Sequence, residues 1–292
     1  MNTRQVAGYL RINEKKVYAL AKAGKIPCTR VTGKWTFPRK LIDAWIEQSA
    51  LRPEHREMRP FLLAAGSDDP SLAVLRELFE QRTKPASLFL NTVGSSAGLT
   101  ALRNGVADFA TAHLLDPKSG EYNLPFVKDL VGDRTVVVQL FYRQLGLVVA
   151  RGNPLKLCAI GDLARPKVRF INRQAGSGTR LYLDQALSRL KIDAHKLNGY
   201  ETSVLTHLDV AMRVLRGEAD AGLATLASAR MLGLDFVPLT RERFDAVIAR
   251  ERFFSPEIQT LLSIVGSSEF RCRLAAMGGY DGAESGRIIY TH

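Results

Sequence analysis

Three stretches of the 292-residue chain combine glycine with small hydroxyl residues in a pattern that suits an anion. They are Ala65-Gly66-Ser67-Asp68-Asp69-Pro70-Ser71, Val93-Gly94-Ser95-Ser96-Ala97-Gly98 and Asn172-Arg173-Gln174-Ala175-Gly176-Ser177-Gly178-Thr179-Arg180. Glycine lets the backbone approach a guest closely, and Ser and Thr supply hydroxyl donors. A helix that starts in such a turn presents free N–H groups and about half a positive charge. Arg173 adds a guanidinium able to clamp an oxyanion through two parallel hydrogen bonds. Any one turn is also ordinary helix capping; three in one region, the last beside an arginine, point to a donor-lined cradle.

A competing chemistry is nucleophilic. Gly94-Ser95-Ser96-Ala97-Gly98 satisfies G-x-S-x-G, with Ser96 as nucleophile and Asp184 and His207 completing the order Ser, Asp, His of an α/β-type serine hydrolase. That pattern recurs by chance, and His207 at the start of an expected helix reads as a surface histidine. The hydrolase reading also leaves the Arg173–Thr179 turn unused, so the chain is read as a binder, not an enzyme. Cys28, Cys158 and Cys272 are far apart, and the five histidines show no paired spacing, so neither a disulfide framework nor a metal site is expected.

The turns need strands before them and helices after them. Phe61–Ala65 reads as a buried strand followed by a helix near Ser71–Gln81, and Leu88–Leu90 as a strand followed by a helix near Ala97–Asn104. Thr135–Leu140 and Leu145–Ala150 read as two strands, and Val168–Ile171 as a strand leading into a helix near Thr179–Leu190. A helix over Leu208–Arg216 and a short strand over Ala221–Ala224 continue the alternation. Strands alternating with helices imply parallel α/β sheets, whose carboxyl edges bind ligands. Residues 61–292 exceed what one sheet needs, which implies two lobes, the second over about 146–235.

Charge singles out the other end of the chain. Residues 1–59 hold thirteen Lys/Arg and five Asp/Glu, a net +8 of the total +12. Concentrated positive charge suits a polyanion, because phosphate neutralisation and counterion release drive nucleic-acid binding. Thr3 is the expected cap of a first helix, and Asn13 of a second, Glu14–Ala23, closed by Gly24. Two short helices across a tight turn make a helix-turn-helix. Ile26–Phe37 then reads as two strands around a Thr32-Gly33-Lys34 tip, a wing, and Pro38 opens a helix with an apolar face of Leu41, Ile42, Trp45 and Ile46. Residues 48–60, charged and bounded by prolines, read as a linker.

Two resemblances follow from these residues. Val6-Ala7-x-x-Leu10, Val17-Tyr18, Gly24-Lys25-Ile26-Pro27, Gly33-Lys34-Trp35, Phe37-Pro38 and Trp45-Ile46 resemble the excisionase-type winged helix-turn-helix, which implies a DNA-binding domain over 1–47. The second helix then enters the major groove with Lys15, Lys16, Tyr18 and Lys22, while Arg30 and Lys34 serve the wing.

Phe61–Ser67, Val93–Ser96, Asn104-Gly105-Val106-Ala107-Asp108, Phe170–Arg180 and Gly217-Glu218-Ala219-Asp220-Ala221-Gly222 resemble the type II periplasmic-binding-protein fold, in pattern like tungstate- and molybdate-binding proteins. Gln174-Ala175 stands where that family's turn has Gly-Asp, and the first turn lacks its Thr run. By that resemblance the ligand residues are Ser67, Ser95, Ser96, Arg173, Ser177, Gly178 and Thr179, with Tyr122 added, although packing alone would account for the tyrosine. Molybdate, tungstate, another oxyanion or a small organic acid all fit.

The expected protein is thus an α/β chain: an N-terminal winged helix-turn-helix plus a two-lobed periplasmic-binding-protein-like domain. It is expected to act as a cytoplasmic, ligand-responsive regulator, a homodimer on double-stranded DNA with no cofactor beyond its small anion. No apolar run reaches the roughly 18–20 residues of a membrane span, and no secretion signal is read at the amino terminus. An excisionase-like architectural factor is the remaining alternative, and the large domain argues against it.

Overall fold

The computed structural model describes residues 1–24, 26–30, 33–50, 61–132 and 135–291. It divides the chain into two compact units, Met1–Glu57 and Met58–His292. Lys25, just before the expected wing, Val31 and Thr32 within it, and residues 51–60 of the expected linker lie outside the described residues.

In the first unit, α1 (Thr3–Leu10), α2 (Glu14–Lys22) and α3 (Arg39–Ala50) surround a small core of Val6, Ala7, Val17, Ala21, Ile26, Phe37 and Ile42. Burying Phe37 and Ile42 completely contributes about 1.5–3 kcal/mol each. The cap of α1 is Asn2, not Thr3: the Asn2 side chain accepts from the Gln5 N–H at 2.9 Å, and the Gln5 side chain accepts from the Asn2 N–H at 2.8 Å. Thr3 itself is buried. Asn13 caps α2 as expected. The wing reduces, among the described residues, to one antiparallel bridge, Thr29 with Thr36. Of the expected α3 face, Ile42 is buried while Leu41 is exposed, because that residue lies off the side that meets the core.

The second unit is built on one curled sheet with the order β2-β1-β3-β8-β4-β7-β5-β6. The strands are β1 (Phe61–Gly66), β2 (Ser87–Thr92), β3 (Phe109–Ala112), β4 (Thr135–Val149), β5 (Phe170–Arg173), β6 (Ser203–Val204), β7 (Ala221–Thr225) and β8 (Asp235–Ala249), with β9 (Tyr280–Asp281) and β10 (Ile288–Thr291) beside β4. Helices α4 (Ser71–Arg82), α5 (Ser95–Arg103), α6 (Leu124–Leu130), α7 (Gly178–Arg189), α8 (His207–Leu215), α9 (Leu226–Met231), α10 (Arg250–Phe253), α11 (Pro256–Val265) and α12 (Ser268–Met277) complete it.

The pairs β1–β2, β1–β3, β5–β6 and β5–β7 are parallel, but β8 runs antiparallel to β3 and β4, and β4 antiparallel to β7. The sheet is therefore mixed, where a parallel one was expected. The two strands expected at Thr135–Leu140 and Leu145–Ala150 are a single one, β4, which shifts register against β8 between Gln139 and Phe141 and again between Leu145 and Gly146. The shifts divide β4 and β8 between two lobes. The first lobe packs Leu62, Leu75, Phe79, Phe109 and Val138 on one face and Leu99, Ala110, Val137 and Val247 on the other. The second packs Leu147, Phe170, Leu183 and Leu223 on one face and Val148, Ile171, Val210 and Ala224 on the other. Strands covered on both faces read as continuous apolar runs, as those at Phe61–Ala65 and Ala221–Ala224 do.

Candidate functional site

The three hydroxyl-rich turns meet where the lobes face each other. Gly66 ends β1 against β3: a Cβ there would lie 2.2 Å from the Thr111 carbonyl oxygen. Gly98 presses α5 onto the same strand end, its Cβ position 2.5 Å from the Gly66 Cα. Two close approaches thus bring the first and second turns together, and the Ser67 and Ser95 hydroxyls hydrogen-bond at 2.5 Å. Ser95 also accepts from the His113 N–H at 3.3 Å.

The second lobe supplies the third turn. The Ser96 N–H approaches the Gly176 carbonyl at 3.5 Å, and a Cβ on Gly178 would strike the His113 ring at 2.7 Å. No side chain larger than hydrogen fits at Gly178, which is why the amino end of α7 reaches the first lobe. Ser177 is its cap, accepting from the Arg180 N–H at 3.2 Å. Ser67, Ser95, Ser96, Arg173, Ser177, Gly178 and Thr179 are therefore gathered from two lobes. Tyr122 is half-buried, donates its hydroxyl to the Arg241 carbonyl at 3.4 Å, and lies near enough to feel the Glu242 and Arg143 charges.

Several polar atoms of this cluster are buried without pairing. Arg173 is 2% exposed; its Nη2 donates to the Leu205 carbonyl at 2.7 Å, while its Nη1 makes no hydrogen bond among the described residues. The Thr179 hydroxyl and both His207 ring nitrogens are likewise buried and unpartnered. Burial lowers the Arg173 guanidinium to about 10, still protonated at neutral pH. Burial, then the Arg173 and Arg143 charges, hold His207 well below its ordinary value, so its ring is neutral.

Beneath the cluster lies a charged floor that the sequence did not reveal. Arg143, at the bend of β4, donates to Glu242 on β8 at 2.7 Å, to Asp69 at 2.6 Å and to the Asp68 carbonyl at 3.1 Å. His113 Nδ1 lies 3.1 Å from Glu242. Burial alone would raise Glu242, but His113 and Arg143 outweigh it and bring the carboxyl down to about 2. Asp68 joins the lobes by accepting from the His207 backbone N–H at 2.9 Å; burial raises its carboxyl, with that hydrogen bond and Arg173 opposing. The one available signal was a charged residue, Arg143, between two apolar runs. Its partners are 74 and 99 positions away in the chain, where no local pattern can name them.

The Ser96, Asp184 and His207 constellation does not assemble. Asp184 accepts from Arg180 at 3.1 Å and from the Tyr200 hydroxyl at 2.7 Å, and the His207 ring bonds to neither residue. His207 is buried completely, contrary to its surface reading, because the first turn of α8 points into the cleft.

In the first unit, Lys15, Lys16, Tyr18 and Lys22 are exposed on α2, and Arg30 and Lys34 are exposed around the Thr29–Thr36 bridge. Arg30 donates to the Gly33 carbonyl at 3.0 Å and lies over the Trp35 ring at 5.6 Å, which steadies one wing cation.

Comparison with known proteins supports both halves. Residues 1–50 match a family model described as helix-turn-helix domain, and residues 76–266, well over half of the chain, match one described as PBP superfamily domain. These are DNA-binding and substrate-binding domain types, not enzymatic families. The uncharacterized protein YvgK of Bacillus subtilis (strain 168) is 29% identical, covering 98% of this chain and 96% of its own length. Among solved structures, a putative phosphate ABC transporter substrate-binding protein with bound phosphate from Clostridium perfringens aligns with TM-score 0.58 and 17% identity, over 74% of this chain and 97% of its own. The bromide-bound regulatory domain of HypT from Salmonella typhimurium aligns with TM-score 0.51 and 15% identity, over 73% and 97%. No helix among the described residues is long and apolar enough to cross a membrane. The chain belongs to the PBP superfamily, with a helix-turn-helix domain at its amino-terminal end.

Proposed function

We propose that the protein is a DNA-binding transcription regulator whose two-lobed domain senses a small tetrahedral oxyanion between its lobes. The observation that carries the reading is the set of unpartnered, fully buried polar atoms on Arg173, Thr179 and His207 beside the Ser67–Ser95 hydroxyl pair. A buried donor left unpaired costs about 1–3 kcal/mol. A guest that accepts hydrogen bonds on every side removes that cost at several groups at once, and a tetrahedral oxyanion presents acceptors in all directions. Phosphate, held by the Clostridium perfringens neighbour, and molybdate or tungstate, suggested by the Phe170–Arg180 turn, are the members of this class to try first.

On DNA, α2 would carry Lys15, Lys16, Tyr18 and Lys22 into the major groove, with Arg30 and Lys34 on flanking phosphate. The anion acts as an effector only if it favours one lobe arrangement over the other, which its grip on both lobes supplies. The test is thermal or chemical unfolding with phosphate, molybdate, tungstate and sulfate. At about a hundred times its dissociation constant the cognate anion stabilises the fold by about 2.7 kcal/mol, and Arg173→Ala removes that gain. A screen in which none of these anions stabilises the wild-type chain overturns the reading.

A further inference from the structure

The surface of α8 carries a pattern that neither the cleft nor the helix-turn-helix accounts for. Its inward side buries His207, Val210, Ala211 and Val214. Its outward side carries Leu208 and Leu215, 40% and 50% exposed, with half-buried Met212 between them and Leu205, 55% exposed, just before the helix. Residues at i, i+4 and i+7 form one stripe along a helix, so Leu208, Met212 and Leu215 share a face. Asp209, Arg213 and Arg216 flank that stripe on a single side and, with Val204, Leu205 and Met212, line a shallow groove.

The arrangement is symmetric about its middle. Turned end for end, the stripe places Leu208 opposite Leu215, Met212 opposite Met212 and Asp209 opposite Arg216. In an antiparallel helix pair related by a two-fold axis, each flank faces the same flank of its partner. Two Asp209–Arg216 pairs then form, one on either side of the axis. Within one chain Asp209 has no ion pair among the described residues, and Arg216 reaches its own acid, Glu218, only at 4.0 Å. Arg213, nearest the axis on the same flank, is already paired with Glu218 of its own chain, which leaves Asp209 and Arg216 as the opposite charges that, reversed end to end, argue for a copy of itself.

We infer that α8 is a homodimer surface on which a second copy of this chain docks antiparallel, with Leu208, Met212 and Leu215 interleaved and Asp209 paired with Arg216 of the other copy. Two short helices bury less than the roughly 1,000 Å² of a strong interface, so the dimer is a reversible one in the micromolar range. The pairing stands whether or not the cleft takes an oxyanion.

Sedimentation velocity on the full chain, from about 1 to about 100 µM, tests it across that range. The wild-type chain is expected to pass from monomer to dimer, while Asp209→Arg and Arg216→Asp each stay monomeric because like charges then meet across the axis. An equimolar mixture of the two variants is expected to regain the dimer, since each supplies the charge that the other lacks. Met212→Glu, at the axis and half-exposed, gives a monomer by a route independent of the end charges. A wild-type chain that stays monomeric to the highest concentration overturns the inference. So does a dimer indifferent to all three substitutions, or a mixture that remains monomeric while both variants keep wild-type circular dichroism.

Discussion

The two ends of this protein handle charge in opposite ways. The first unit displays its cations in water, on α2 and around the Thr29–Thr36 bridge, where each costs almost nothing to hold. The two-lobed unit buries Arg143, Arg173, Glu242, Asp69, His113 and His207 at the bend of its sheet, where every unpaired polar atom is expensive. Exposed charge suits a partner that is itself a large polyanion and can be met from outside. Buried charge suits a guest small enough to be enclosed.

That contrast breaks first at Glu242. Glu242→Gln leaves the buried Arg143 without half of its compensation and is expected to destabilise the two-lobed unit by about 3–5 kcal/mol in chemical denaturation. A loss below about 1 kcal/mol would show that the floor is far better hydrated than its burial indicates.

The histidines sharpen the comparison through pH. Burial holds His113 and His207 below their ordinary value of 6.5. Between the folded and unfolded values the unfolded chain binds protons that the folded one refuses. The histidine contribution to stability is therefore complete above about pH 6.5 and falls on acidification, by up to about 1.4 kcal/mol per pH unit for each ring, while the buried Asp68 and Asp245 carboxyls, raised by burial, oppose it. Below about 4.5 the depressed Glu242 carboxyl adds a further loss as it protonates toward 2. His207→Asn should reduce the slope between pH 6.5 and 5 by about one proton. An unaltered slope would mean that the His207 ring is not the group refusing protonation.

Smaller effects on stability belong to the exposed end. Lys16→Ala or Lys34→Ala should move stability by less than about 0.5 kcal/mol. Either should lower the slope of log affinity for DNA against log salt by about 0.9 if the residue touches one phosphate. Fluorescence anisotropy at several salt concentrations measures it, and an unchanged slope excludes that residue from the interface.

How far the sequence could be read follows the range of the interactions. Caps and turns are local, and Asn13 and the three hydroxyl-rich turns were legible because helix starts and glycine punctuation lie within a few residues of each other. Even so, the cap at Thr3 was misplaced by one residue, since Asn2 and Thr3 are both good cap types and only the Asn2–Gln5 pairing separates them. The polar residues around Arg143 split β4 into two apparent strands, and Thr240-Arg241-Glu242-Arg243 concealed β8 for the same reason. Charged residues in mid-strand signal solvent to a local reading, whereas here they meet one another across the sheet. His207 was misjudged because a position at a helix start does not say which way its side chain points.

The pairing of β4 with β8 has a mechanical consequence. Each is a fifteen-residue ribbon running through both lobes. Side-by-side hydrogen-bonded ribbons resist sliding but yield to twisting and bending, most readily where their register slips. The halves of this domain are therefore joined by a pivot, not by a tether. Whatever moves the walls by a fraction of an ångström beside that pivot swings the far ends in proportion to their distance from it.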